Sequence, residues 1–458
     1  FRYQNQKGKR YWVGKFTLVN LSTPRNASSG FARESTETDI FSNIRKKSLS
    51  PKIDLNANLP LSMNQTLTLG VHGKYSANSY HRLYQEQPFE TMTDEDEKAL
   101  SFQLSAIYNY FSQKHSLSVE LFHYHDVWNA DYSGNCELWQ HLWKGESLAF
   151  FSYNFQASRR LSLKTRIGLD WLQYHLHGNN SFSQLSPRIN TNVQYQLNKG
   201  MLLWSFNFVN SNHGMDIINR AMIQVNSHMM EKGMPELKKS HDINTYLYYM
   251  GRFNRLSVSA IGQFRYNHHP VTDDYYLDEA NGKIVKTYSN GGNAQYYSAI
   301  LALQYKLCKF ANLSGDIRYS HAEVTTTWSK HNNNLTGNLG LNMFMGDFAL
   351  KPYLHFGKKS LDEAALVISK TPIDYGMSCS YSRGNLYVEL QAVSPFKKQE
   401  KRYWLDLPIY SYSKSIKDQT ASQYASIKVA YSFDFGRKTQ KVEKDVNKNI
   451  NSSLLRVE

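Results

Sequence analysis

Apolar and polar side chains alternate along most of this chain, with turn-rich stretches setting one alternating segment apart from the next. Over Leu161 to Trp171 (LSLKTRIGLDW) the apolar residues fall mostly on one parity and the polar or small ones on the other. The same pattern holds over Leu100 to Tyr110, Leu256 to Tyr266, Leu313 to Tyr319 and Ile427 to Phe435. Successive side chains of a strand point to opposite faces, so each segment predicts a strand with one apolar and one polar face. About eighteen such segments can be marked, many of them roughly 10 to 14 residues long. Strands of water-soluble proteins are usually about 5–6 residues long. A tilted strand needs about 9–11 residues to cross a hydrocarbon layer. The expected fold is all-β, a transmembrane antiparallel up-and-down β-barrel.

The connections reinforce this reading. Short ones fall near 60–64, 112–115, 158–160, 197–200, 252–255, 308–312, 345–347 and 382–385. Long polar segments lie between them, near 21–46, 81–97, 127–145, 175–185, 210–240, 267–292, 322–332, 358–371 and 395–422. Short and long alternate strictly, as in outer-membrane barrels with tight periplasmic turns and extended extracellular loops. Counting back from a last strand at 423–435 places the C-terminus at the short-turn, periplasmic end. Residue 1 is expected at the same end, before a first strand at about 10–20. The barrel is expected to occupy 1–436, and 437–458 reads as a polar periplasmic tail. Two long segments contain helix-compatible stretches, Met222 to Met230 and Leu361 to Ile368.

Composition agrees with a membrane barrel without a membrane helix. Mean hydropathy is −0.56, and no stretch approaches the roughly 18 apolar residues of a spanning helix. A polar lumen keeps the average low while alternate residues face lipid. Aromatics make up 14% of the chain, with 32 Tyr, 23 Phe and 8 Trp, and Tyr and Trp favour the water–lipid boundary. The net charge of +15 is spread through turns, lumen positions and tail rather than gathered in a stripe, so no nucleic-acid partner is expected. Cys136, Cys308 and Cys379 are too few and too scattered for a disulfide framework or a zinc site.

Catalytic and metal signatures are absent: there is no Gly-x-Ser-x-Gly, His-Glu-x-x-His or phosphate-binding loop, so no enzyme and no cofactor is expected. His123 and His125 share a strand face with Asp126 nearby, and a hydrogen-bonded lumen or rim position explains them better than a metal. His268 and His269 read as part of a turn, and Asp94 to Glu97 as a solvated loop run.

One segment carries a family signature. Glu231 to Lys238 (EKGMPELK) follows a long segment and leads into a strand at Ser240. It resembles the Gly-Asn-Pro-x-Leu-Lys-Pro element of TonB-dependent outer-membrane receptors of the Bacteroidetes type. Gly233, Pro235, Leu237 and Lys238 match, while Met234 stands for Asn and Lys239 for the second Pro. The segment 271–292 and the closing strand from Tyr424 to Gly436 also resemble parts of that family.

The resemblance implies a barrel of about 22 strands plugged by an upstream domain. Neither the plug nor the remaining strands are visible after Phe1, so the chain reads as the C-terminal part of a longer receptor. The resemblance further implies uptake of a bulky solute (a siderophore, oligosaccharide or peptide) energised through the TonB complex. Outer-membrane lipid, lipopolysaccharide and a surface lipoprotein are the other expected partners. Trp128, Trp139 and Trp143 are the outer-loop aromatics expected to meet ligand, because ring faces suit sugars and ring-bearing solutes. A passive porin-like channel and a surface adhesin-like β-protein are the alternatives.

Overall fold

The computed structural model describes residues 2–7, 10–33, 36–179, 181–211, 213–396, 399–417 and 423–433. Its first ten strands are β1 (Arg2–Lys7), β2 (Arg10–Arg33), β3 (Thr36–Pro60), β4 (Gln65–Glu86), β5 (Phe89–Phe111), β6 (His115–Gly134), β7 (Leu138–Gln156), β8 (Leu161–Leu176), β9 (Phe182–Leu197) and β10 (Gly200–Ser211). A single helical turn, α1 (Met215–Ile218), is followed by β11 (Met222–Gln224), β12 (Met229–Lys232), β13 (Ser240–Phe253), β14 (Leu256–His268), β15 (Thr272–Asp278) and β16 (Lys283–Ser289). Then come β17 (Asn293–Cys308), β18 (Ala311–Thr325), β19 (Ser329–Met345), β20 (Phe348–His355), β21 (Lys358–Asp362) and β22 (Val367–Thr371). The last are β23 (Asp374–Arg383), β24 (Leu386–Val393), β25 (Lys401–Asp406), β26 (Ser411–Ile416) and β27 (Tyr424–Tyr431).

Nineteen of these form one sheet in which each strand pairs antiparallel with the next in the chain, from β1 to β27. This is the up-and-down order of a barrel wall. Every short connection expected from the sequence is observed, for example 112–114, 254–255 and 346–347. The alternation also falls as read. On β8, Ile167, Leu169 and Trp171 are exposed beside their cross-strand neighbours Phe151 and Leu185. Arg166 and Asp170, of the other parity, turn into the lumen with Ser152. The same division holds on β3 and β4, where Ile53, Leu55, Leu69 and Val71 face out. Asp54 bonds His72 at 2.9 Å on the other face. An apolar outer face and paired backbone are what a lipid-spanning wall requires.

Four expectations are corrected. The first strand is β1, not the one at 10–20; Arg2 pairs with Lys15, so the chain begins partway up the wall instead of at the short-turn end. Most long segments are not loops: β4 and β5 stay paired to Glu86 and Phe89, and β18 and β19 to Thr325 and Ser329. A polar hairpin in water still satisfies its own backbone, so pairing continues where lipid-facing residues stop. Met222 to Met230 is a small hairpin, not a helix, and Leu361 to Ile368 forms the turn between β21 and β22. Phe435 and the tail 437–458 lie outside the described residues.

The true insertions build a cap at the long-loop end. One small sheet has the order β11-β12-β16-β15, the other β21-β22-β25-β26. Tyr275, Leu366, Val367, Leu405 and Leu407 join the two into one apolar cluster with Ala294 and Val324 at the tops of β17 and β18.

Candidate functional site in the lumen and its cap

Alternation along β6 to β9 lines the lumen with a ladder of charges. Arg166 meets Glu120 at 2.6 Å, its guanidinium 3.6 Å from the centre of the Phe150 ring, and Ser152 donates to Glu120 at 3.0 Å. Higher up, Asp170 is fully buried and held by Arg188 at 2.6 Å and Lys239 at 3.0 Å. Arg188 also reaches Glu146 at 3.4 Å. A buried carboxylate is tolerated only with such partners. On the opposite flank the wall borders an open cavity of about 640 Å³ beside Ser257, Gln304, Asp316, Asn338, Lys351 and His355.

Residues 213–239 fold inward from β10 onto this ladder. Met215 and Ile218 of α1 pack with Ala99, Trp128, Leu142, Leu172, Tyr174 and Leu176 on the inner face of the extended hairpins. The Asn219 side-chain oxygen accepts from Gln140 and from the Ala221 backbone N–H, and Arg82 donates to the Val225 carbonyl at 2.6 Å. Gly233 runs against backbone: a Cβ would stand 2.1 Å from the Asn219 carbonyl and 2.7 Å from that of Ile217. The Pro235 carbonyl accepts from the Tyr174 hydroxyl at 3.3 Å, Leu237 is buried, and the Lys238 carbonyl accepts from His213 at 2.6 Å. Pro235 therefore ties this segment to β8, while Gly233 and Lys238 close the segment on itself.

In the cap, Lys286 lies 3.4 Å from both Glu231 and Asp273. Burial alone would lower the lysine, but Glu231 and Asp273 outweigh it and hold the ammonium above its ordinary value. Burial pushes the Asp273 carboxyl up to about 6 against the pull of Lys286. The cluster is one cation shared by two acids across β12, β15 and β16.

No family model matches the sequence, and no curated protein is similar to it. Solved structures are. The ferric yersiniabactin uptake receptor FyuA from Yersinia pestis superposes with a TM-score of 0.57 at 10% identity, covering 94% of this chain and 77% of that one. The copper transporter OprC gives 0.55 at 10%, covering 86% and 76%. The siderophore receptor PiuA from Acinetobacter baumannii gives 0.53 at 10%, covering 93% and 75%. The fold is the large antiparallel β-barrel that these structures share.

In this barrel the three tryptophans do not converge. None sits in a loop: Trp128 is on β6, Trp139 and Trp143 on β7. Trp128 is 2% exposed and packs inward. Trp139, 48% exposed, and Trp143 stand on the outer face, Trp139 against His141 and His177 and Trp143 edge-on to His125. His123 and His125 share that outer face, and Asp126 turns away from them to Ser101. Among the described residues no three of His, Cys, Asp and Glu are grouped to hold a metal. Asp94 to Glu97 form part of β5 rather than a solvated loop. Glu95 and Glu97 are buried on hydrogen bonds from Tyr132 and Asn78, while Asp94 meets His81 at 2.6 Å. The Asp170 and Asp273 clusters have no signature in sequence order. The one local signal was Lys239, the departure from the family element, whose ammonium is the partner of Asp170.

Proposed function

We propose that this barrel is the wall of an outer-membrane receptor that takes up a bulky solute (a siderophore or other metal chelate, an oligosaccharide or a peptide) with energy supplied through the TonB complex. The supporting observation is the folded cap: two small sheets and an inward segment lie over a charged, polar lumen, an arrangement suited to gating a solute. The fold likeness to siderophore and copper transporters points the same way. On this reading the short turns and the C-terminus lie in the periplasm, 1–436 is barrel and 437–458 tail, and the plug lies upstream. Lipid and lipopolysaccharide surround the apolar face, and a surface lipoprotein is a candidate partner at the cap. Of the three tryptophans, exposed Trp139 is the one placed to meet a solute or partner from outside.

A passive pore is the rival, favoured by the open cavity beside Asp316 and Lys351. The two separate by energy dependence. Cells carrying the whole receptor should lose solute accumulation when the inner-membrane proton gradient is discharged. Undiminished uptake would instead mean a passive channel.

A further inference from the structure

The second cap sheet gathers charge of one sign on one face. In its order β21-β22-β25-β26, Lys359 stands directly opposite Lys370, Lys370 opposite Arg402, and Arg402 opposite Ser415. Residues directly opposite in antiparallel strands share a face, so three cations form one row across three adjacent strands. The row is spaced by the distance between strands, about 4.8 Å. All three side chains are exposed. Val367 and Leu405, of the other parity, point into the apolar cluster of the cap. The charged row therefore lies on the face turned away from that cluster.

Like charges directly opposite one another in a sheet repel, and little on this face offsets them. Glu400 accepts from the Arg402 Nε at 3.0 Å and from the Ser415 hydroxyl at 2.6 Å, which fixes one end of the row. Lys417, just past β26, also pulls on this carboxylate. Among the described residues of β21, β22, β25 and β26, the other carboxylate of this face is Asp406, two rows further along, opposite Ser411. The adjoining row places Ile368 opposite Trp404. The Lys359 ammonium reaches across it to 5.7 Å from the centre of the indole ring. The result is a line of positive charge beside an apolar shelf.

Such a strip suits a ligand whose negative groups repeat at about the strand spacing. A linear glycan with one acid per sugar unit has such a repeat. Acidic side chains on one face of an extended peptide recur at roughly 7 Å, out of step with the row. Sugar rings also lie well on an indole and its apolar neighbour.

We propose that this strip captures a linear oligosaccharide with one carboxylate per sugar, its carboxylates on Lys359, Lys370 and Arg402 and a ring on the shelf of Ile368 and Trp404. The proposal rests on the reading of the barrel as an uptake receptor and names the class of its solute. Binding is scored without an energy source, so it can fail while energised uptake stands, and the reverse.

The test is isothermal titration calorimetry of the whole chain, folded in detergent at low salt, with hexagalacturonate, hexaglutamate and the neutral maltohexaose. Wild type should bind hexagalacturonate more tightly than hexaglutamate and leave maltohexaose unbound. Lys370→Gln removes the middle charge and should weaken hexagalacturonate about tenfold, the share of one hydrogen bond to a charged group. Lys306→Gln alters an exposed lysine at the short-turn end of β17 and should leave the affinity as it is. Because Lys370→Gln relieves repulsion instead of breaking a contact, it should fold as the wild type does, checked by heat-modifiable migration on a gel. Equal affinity for hexagalacturonate and hexaglutamate, equal affinity of wild type and Lys370→Gln, or no binding by the wild type overturns the proposal.

Discussion

Asp170 shows how single positions set the lumen. Its carboxylate is fully buried on a wall strand, and the two cations that hold it come from separate elements, Arg188 of β9 and Lys239 at the end of the inward segment. Removing the carboxylate leaves the buried Lys239 ammonium without this partner and Arg188 with Glu146 alone. Asp170→Leu should therefore cost about 3–5 kcal/mol, measured as a shift in urea unfolding followed in detergent. Gly233 matters for a different reason, since a side chain there meets the Asn219 and Ile217 carbonyls. Gly233→Ala should loosen 213–239 by roughly 1–3 kcal/mol, seen as faster proteolytic cleavage in that segment while the wall stays heat-modifiable. At this scale the sequence was half legible. Parity announced that Asp170 faces the lumen, and the family-like element marked Gly233 and Pro235. Nothing local could pair Asp170 with Lys239, because they are brought together only when the segment folds inward.

Elements divide into those whose pattern is local and those whose pattern is not. Wall strands carry their own alternation, so their order and short turns could be read in advance, although β1, too short to show it, was missed. The cap could not. Strands β11, β12, β21 and β22 are three to five residues long, too short to show a period. The parallel pairing of β12 with β16 joins segments far apart in the chain. The extended hairpins were hidden for another reason, because once clear of lipid both faces become polar and the alternation fades while the pairing persists. In the cap, Asp273 titrates near 6 against an ordinary 3.8. The folded cap thus takes up a proton that an opened cap would not hold between about pH 4 and 6. This group's contribution to closure is present at the low end of that window and lost as pH rises through 6. Amide exchange over 272–289, corrected for the intrinsic pH effect, should be slower at pH 5 than at pH 7.5, and Asp273→Asn should abolish the difference.

Taken whole, the molecule is a wall with a cover, and its conductance should report on the cover. The intact chain in planar bilayers should pass little steady current. Shortening both 222–232 and 358–371 to brief Gly-Ser turns should produce stable ohmic steps. Equal currents from the two would mean that the cap does not obstruct the lumen. The wall itself is lopsided. Strand β3 is 25 residues long, whereas β20 and β24 have 8 each, a difference in length of roughly 50–60 Å along the strand. On the tall flank, wall and rim are one continuous hydrogen-bonded piece. On the low flank the rim is a separate sheet, joined to the wall by the brief links 356–357 and 372–373 and seated on it through Asn332 and Asn334 of β19 and the cluster with Ala294 and Val324. Such a vessel has a door and a jamb. If the barrel takes up a solute as proposed, the mouth is expected to open on the β20 to β27 side, with the wall of β2 to β5 standing.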